Sequence, residues 1–146
     1  MIRFHVPGEP IAKGRARASH RNGVFRVHTP PQNIRYEATV KLFGKQAMAG
    51  REPFAKGVPL SMLVIATLPI PASWSARKQQ ASADQLVLPT TRPDLDNYVK
   101  AALDGCNGVV FADDSAVVRL ETRKEYGRVP GLTVQVVPLN TVEGAA

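Results

Sequence analysis

From Leu60 to Leu68 nearly every residue is apolar, and Val64, Ile65 and Thr67 are β-branched. So short and continuous a run reads as a central strand buried on both faces, the anchor of a sheet. Ile2, Phe4 and Val6 alternate with Arg3 and His5, the period-two pattern of a half-buried strand ending at Pro7-Gly8. Val117, Val118 and Leu120 continue as a strand to Tyr126, and Leu132, Val134 and Val136 form the last one. Asn22-Gly23, between Ser19-His20-Arg21 and Val24-Phe25-Arg26-Val27, is the strongest short hairpin signal.

Two helices accompany these strands. Thr29-Pro30-Pro31 opens the first, and Ile34, Ala38, Leu42, Lys45 and Met48 carry it to about Gly50. Arg92-Pro93-Asp94 opens the second, because proline disfavours helical geometry in Arg92 and an early Asp suits a helix N-terminus; Gly105 to Gly108 ends it. Strands and helices thus mix along one chain. A chain of 146 residues supports one domain of this kind. The domain is expected over 1–138, with 139–146 a frayed tail. Residues 69–93, polar around Arg77-Lys78-Gln79-Gln80, read as a mobile loop facing DNA, with Trp74 either in ordinary packing or at a subunit contact.

Charge narrows the partner. The net charge is +7 and the pI about 10.0, which favours a polyanion. Residues 1–60 hold 11 basic and 3 acidic residues, whereas eight of the twelve acids fall between Asp84 and Glu125. The basic half suits a phosphate backbone and the acidic stretch a metal. One cysteine, Cys106, excludes a disulfide framework, and with His5, His20 and His28 it has no zinc spacing. A reducing cytoplasm fits. No apolar run approaches the about 20 residues of a membrane span, and the N-terminus lacks a signal-peptide pattern.

The chemistry concentrates in Asp94-Leu95-Asp96-Asn97-Tyr98-Val99-Lys100 and the later Asp113-Asp114. Asp94 and Asp96 belong to the lip and first turn of one helix, with Lys100 a turn beyond Asp96 on the same face. Oxygen ligands suit a hard cation, Mg²⁺ or Mn²⁺. Asp-x-Asp at a helix start is also an ordinary cap, Asp96 and Lys100 an ordinary surface pair, and Asp-Asp an ordinary turn. Three carboxylates held together would repel by up to about 4 kcal/mol per pair at an effective dielectric of 20, which favours a cation if they meet. A calcium loop from Asp94 fails, because Val99 and Gly105 would stand at its glycine and glutamate positions.

The run from Arg92 to Asp104, then Val110-Phe111-Ala112-Asp113-Asp114-Ser115, then Lys124, closely resembles the RusA family of Holliday junction resolvases of bacteria and their phages. Val6-Pro7-Gly8-Glu9-Pro10, Lys13-Gly14-Arg15-Ala16-Arg17 and Tyr36-Glu37 resemble it too, so the likeness covers nearly the whole chain. It departs at Ala16, where relatives often have proline, and in the long 69–93 connection. The resemblance implies that Asp94, Asp96 and Asp114 bind the catalytic metal and that Lys100 is an essential active-site charge. It further implies an α+β fold, two layers with a mixed sheet of about four strands flanked by two main helices, and a homodimer that cuts opposing strands of a four-way junction. Lys13, Arg15, Arg17, Arg21, Arg26 and Lys124 are the expected DNA contacts, Asp113 a turn residue and Asp104 a partner of Lys100. A nuclease acting on forks or flaps, or a non-catalytic junction binder, is the alternative.

Overall fold

Alternation of apolar and polar residues places Ile2, Phe4 and Val6 of β1 (Ile2–Pro7) on one face of a sheet, all buried, while Arg3 and His5 face outward. The computed structural model describes residues 1–14, 17–28 and 30–140. After β1 comes a ribbon of β2 (Arg17–Arg21) and β3 (Val24–His28), joined at Asn22 and Gly23, both at positive φ. Left-handed geometry at both turn residues is what Asn-Gly tolerates. Helix α1 (Pro31–Met48) follows, with proline at its first turn and Ala49 in the left-handed conformation at its end. Next are β4 (Leu60–Pro69), α2 (Ala76–Ala83), α3 (Leu95–Cys106), β5 (Val117–Gly127) and β6 (Gly131–Pro138).

The four longer strands form one mixed sheet in the order β1-β6-β4-β5. β6 is antiparallel to both β1 and β4, and β4 is parallel to β5. A parallel neighbour needs a crossover, which the stretch holding α2 and α3 supplies. The core lies between the sheet and helices α1 and α3: Leu60, Met62, Val64 and Ala66 of β4 and Leu132, Val134 and Val136 of β6 pack with Tyr36, Val40, Tyr98 and Ala102. At the crossing of the two helices Gly105 faces Val40 so closely that a Cβ would land on the valine side chain. The fold is α+β, as expected.

Two local expectations need correction. β4 is not buried on both faces: Ile65 is buried on the side away from the helices, but Ser61, Leu63 and Thr67 there are only half-buried. That side is finished by polar pairs, Arg3 Nη1 donating to Gln135 Oε1 at 3.0 Å and His5 sharing a hydrogen bond with Thr133 Oγ1. An antiparallel-rich sheet can leave such a face to water. Second, 69–93 is not a mobile loop. It contains α2, capped by Ser75 Oγ accepting from the Lys78 N–H, and Trp74 packs edge-on against Tyr126 of β5 with ring centroids 5.1 Å apart. Trp74 is therefore engaged within its own chain. Of the expected tail, 139–146, residues 141–146 lie outside the described residues, and the Leu139 N–H donates to the Pro59 carbonyl at 2.8 Å. Among the described residues no helix is long and apolar enough to cross a membrane.

Candidate active site

Asp94 occupies the cap position of α3 in extended geometry, φ −68° and ψ 148°, yet its side chain makes no capping hydrogen bond. Its carbonyl accepts from the Asn97 N–H at 3.1 Å, so the backbone starts the helix and leaves the carboxylate to other work. Asp96, in the first turn, is favoured there by the helix dipole. Its Oδ2 lies 4.0 Å from Lys100 Nζ, with both side chains mostly exposed. A loose surface pair like that contributes little to stability and leaves both groups free to engage a ligand.

Asp96, Lys100 and Asp104 follow one another at four-residue spacing down one face of α3. The expected pairing of Asp104 with Lys100 is not what forms. Asp104 is half-buried and takes Lys13 as a direct ion-pair partner, 91 residues away in the chain. The bond to Asp104 raises the Lys13 ammonium above its ordinary value. The Lys13 N–H also donates to the Asn97 carbonyl at 3.0 Å, and Asn33 Nδ2 donates to the Ala12 carbonyl at 2.8 Å. Residues 11–14 thus form a strap fastened to α3 on one side and α1 on the other, with the Lys13 charge neutralised by Asp104.

Asp114 opens a 3-10 turn, Asp114–Ala116, and is half-buried. Burial first, then Asp113 and Asp104 close by, raise its carboxyl above the ordinary range. Asp113 is the turn residue expected: its Oδ2 accepts from Ser115 Oγ at 2.8 Å, and that bond lowers its pKa. Asp114 therefore feels the charges of Asp113 and Asp104, while Asp94 and Asp96 stand at the lip of α3. Among the described residues no three His, Cys, Asp or Glu side chains are close enough to hold one ion together. The donors are nevertheless all oxygens, one of them an unused cap carboxylate. That chemistry fits a cation such as Mg²⁺, which takes one or two carboxylates and keeps several waters.

Beside Asp94 runs a groove of about 520 Å³ lined by Ala12, Lys13, Gly14, Arg92, Pro93 and Asn97. A second groove of about 490 Å³ shares Ala12 and Gly14 and extends along Pro30, Asn33 and Arg35 toward the start of α1. Gly14 floors both, and a Cβ there would press on Asn33 Oδ1 at 3.2 Å. A trough with cationic walls thus leads away from an anionic lip.

Lys124 has a role that the sequence reading missed. Register sets it beside Ala66, on the face of β5 turned toward the helices. Its Nζ donates to the carbonyls of Thr91 at 2.7 Å and Pro93 at 3.0 Å, the residues just ahead of Asp94. A lysine at an inward-facing position of an alternating strand was the available signal. Of the other expected DNA contacts, Arg21 and Arg26 are exposed on the ribbon, Arg17 begins β2, and Arg15 lies outside the described residues.

Exposed carboxylates and an ammonium at a helix lip, opening on a cationic trough in a protein of net charge +7, are the furnishings of a phosphodiester-cleaving nuclease. Residues 7–137 match the family of endodeoxyribonuclease RusA, and the chain belongs to that family. It is also similar to the uncharacterized protein YqaN of Bacillus subtilis (strain 168), 39% identical over 137 residues, covering 92% of this chain and 94% of that protein.

Proposed function

We propose that the chain resolves four-way DNA junctions as a homodimer, using Mg²⁺, with Mn²⁺ as a substitute. The observation that carries this reading is the Asp94 carboxylate, placed at a helix cap, making no cap bond, and opening on the cationic trough. Asp94 and Asp96 would hold the cation at the lip, and Asp114, from the 3-10 turn, would complete its ligands on a closer approach than the structure shows. Held there, a divalent cation would supply activation of the attacking water and neutralisation of charge on the scissile phosphate. Lys100, a turn below Asp96 and only loosely paired, stands ready to stabilise charge on the phosphate in the transition state. Arg92 and Arg35 along the trough hold the strand that leads away from the cut. Each chain carries a single acidic lip, whereas resolution needs two nicks, so a two-fold assembly supplies the second site.

The test replaces Asp96 with Asn, which removes charge without changing volume. The Asp96→Asn variant should bind a mobile four-way junction as well as the parent and fail to cut it in Mg²⁺. Cleavage at the parental rate would overturn the assignment, and cuts mapped mainly to forks or flaps would replace the junction with those substrates.

A further inference from the structure

The β2–β3 ribbon has two different faces, and none of its described side chains is covered. Pairing sets His20 opposite Phe25 and Ala18 opposite Val27 on one face, and it sets Arg21 opposite Val24 and next to Arg26 on the other. Phe25 is 66% exposed and Val27 61%. On the second face Arg21, Val24 and Arg26, with Asn22 at the turn, border a shallow depression of about 380 Å³. Among the described residues neither arginine is paired with a carboxylate. An isolated two-stranded ribbon is marginal in water, and one with a bare phenylalanine gains from a partner that offers apolar surface on one side and anions on the other.

We propose that the apolar face of this ribbon, with Phe25 at its centre, enters the branch point of a DNA junction, parts the bases there from one another and packs against them. At a branch point base pairs lose a stacking neighbour, so flat aromatic surface lies open, while phosphates of the converging arms surround the opening. Phe25 and Val27 meet the first, and Arg21 and Arg26 reach the second. Linear duplex offers phosphates without open base faces, so it engages only the arginines. A second copy of the chain is a poorer occupant. One phenylalanine with a valine and an alanine covers a few hundred square ångströms, short of the roughly 800 Å² per partner of a stable interface. The proposal rests on the junction reading above and adds a residue that discriminates branched from linear DNA.

The experiment uses the full chain without divalent metal. Two DNA probes carry the same sequence and 2-aminopurine at the same position, one at the crossover of a four-way junction and one in linear duplex. Parent protein should raise 2-aminopurine fluorescence in the junction and leave it unchanged in the duplex. Phe25→Ala should abolish that rise and lower the ratio of junction to duplex affinity about tenfold, within the range of one base–aromatic stack. Phe25→Trp should restore both, which separates loss of stacking from damage to the ribbon. A Phe25→Ala variant with the parental fluorescence rise and affinity ratio overturns the proposal. So does a shift of that variant from dimer to monomer in sedimentation, which would assign the face to a second copy. Parent protein that cuts junctions in Mg²⁺ without the fluorescence rise refutes the wedge and leaves the junction reading standing. Parent protein that neither prefers nor cuts junctions refutes both.

Discussion

Replacing Lys124 with Met keeps the stem of the side chain and removes the two hydrogen bonds to Thr91 and Pro93. Hydrogen bonds from a charged donor contribute about 1.5–3 kcal/mol each where buried. Thr91 and Pro93 are exposed, so water takes over part of that bonding and the pair together loses about 1.5–3 kcal/mol. The segment released is the one that delivers Asp94 to the lip of α3. Charged to positioning alone, that energy corresponds to a fall of about 10- to 100-fold in the rate of cleavage. Single-turnover cleavage of a junction, with enzyme in excess and Mg²⁺ titrated, reads this directly. Lys124→Met should cut slowly or demand more Mg²⁺, and Lys124→Arg should recover part of the loss because a guanidinium can still reach a carbonyl. Junction affinity without metal should stay within about twofold. The reasoning is refuted if Lys124→Met cuts at the parental rate when saturated but binds more weakly, with a salt dependence shallower by about 0.9. That slope is the signature of one lost phosphate contact.

Two further substitutions test the packing beneath the site. Gly105→Ala, which in an open helix would add about 1 kcal/mol of stability, should instead destabilise by about 1–3 kcal/mol, because the new methyl meets Val40; an unchanged urea midpoint would mean that α1 and α3 do not cross there. Cys106 is buried and its thiol is pushed up from 9.0 to about 12 by burial. Below the ordinary value both folded and unfolded chains keep the proton, whereas between pH 9 and 12 only the unfolded chain loses it. Stability should therefore fall with rising pH by as much as about 1.4 kcal/mol per unit across that window, and urea unfolding of Cys106→Ala should show the shallower slope. Equal slopes would place the thiol in contact with water.

The elements that could be read from sequence are those fixed by local chemistry. Asn22-Gly23 dictates its own turn, prolines 30 and 31 start α1, and Asp94 follows a proline at the head of α3. What escaped depends on partners distant in the chain. Helix α2 has no apolar stripe of its own; it is held by Trp74 against Tyr126 and by Gln85 Nε2 donating to the Tyr126 carbonyl. The partner of Asp104 comes from the strap at Lys13, which the hydrophobic pattern of α3 does not announce. Asp94, Asp96 and Lys100 were legible as neighbours because one helix carries them. The place of Asp114 was not, since it depends on where the turn after α3 folds back, and that turn brings it to Asp104. The apolar run of β4 suggested cover on both faces because composition reports how greasy a strand is and not how many layers lie over it.

The last strand of the sheet fills its middle. β1 and β4 do not touch edge to edge; each is zipped to β6, which slides between them from the far end of the chain. During synthesis the ribbon, both long helices and the acidic lip emerge before anything can join the two halves of the sheet. The sheet closes only when Gly131 to Pro138 inserts, so a molecule interrupted short of that point carries every residue of the lip on a sheet whose two halves are not zipped together.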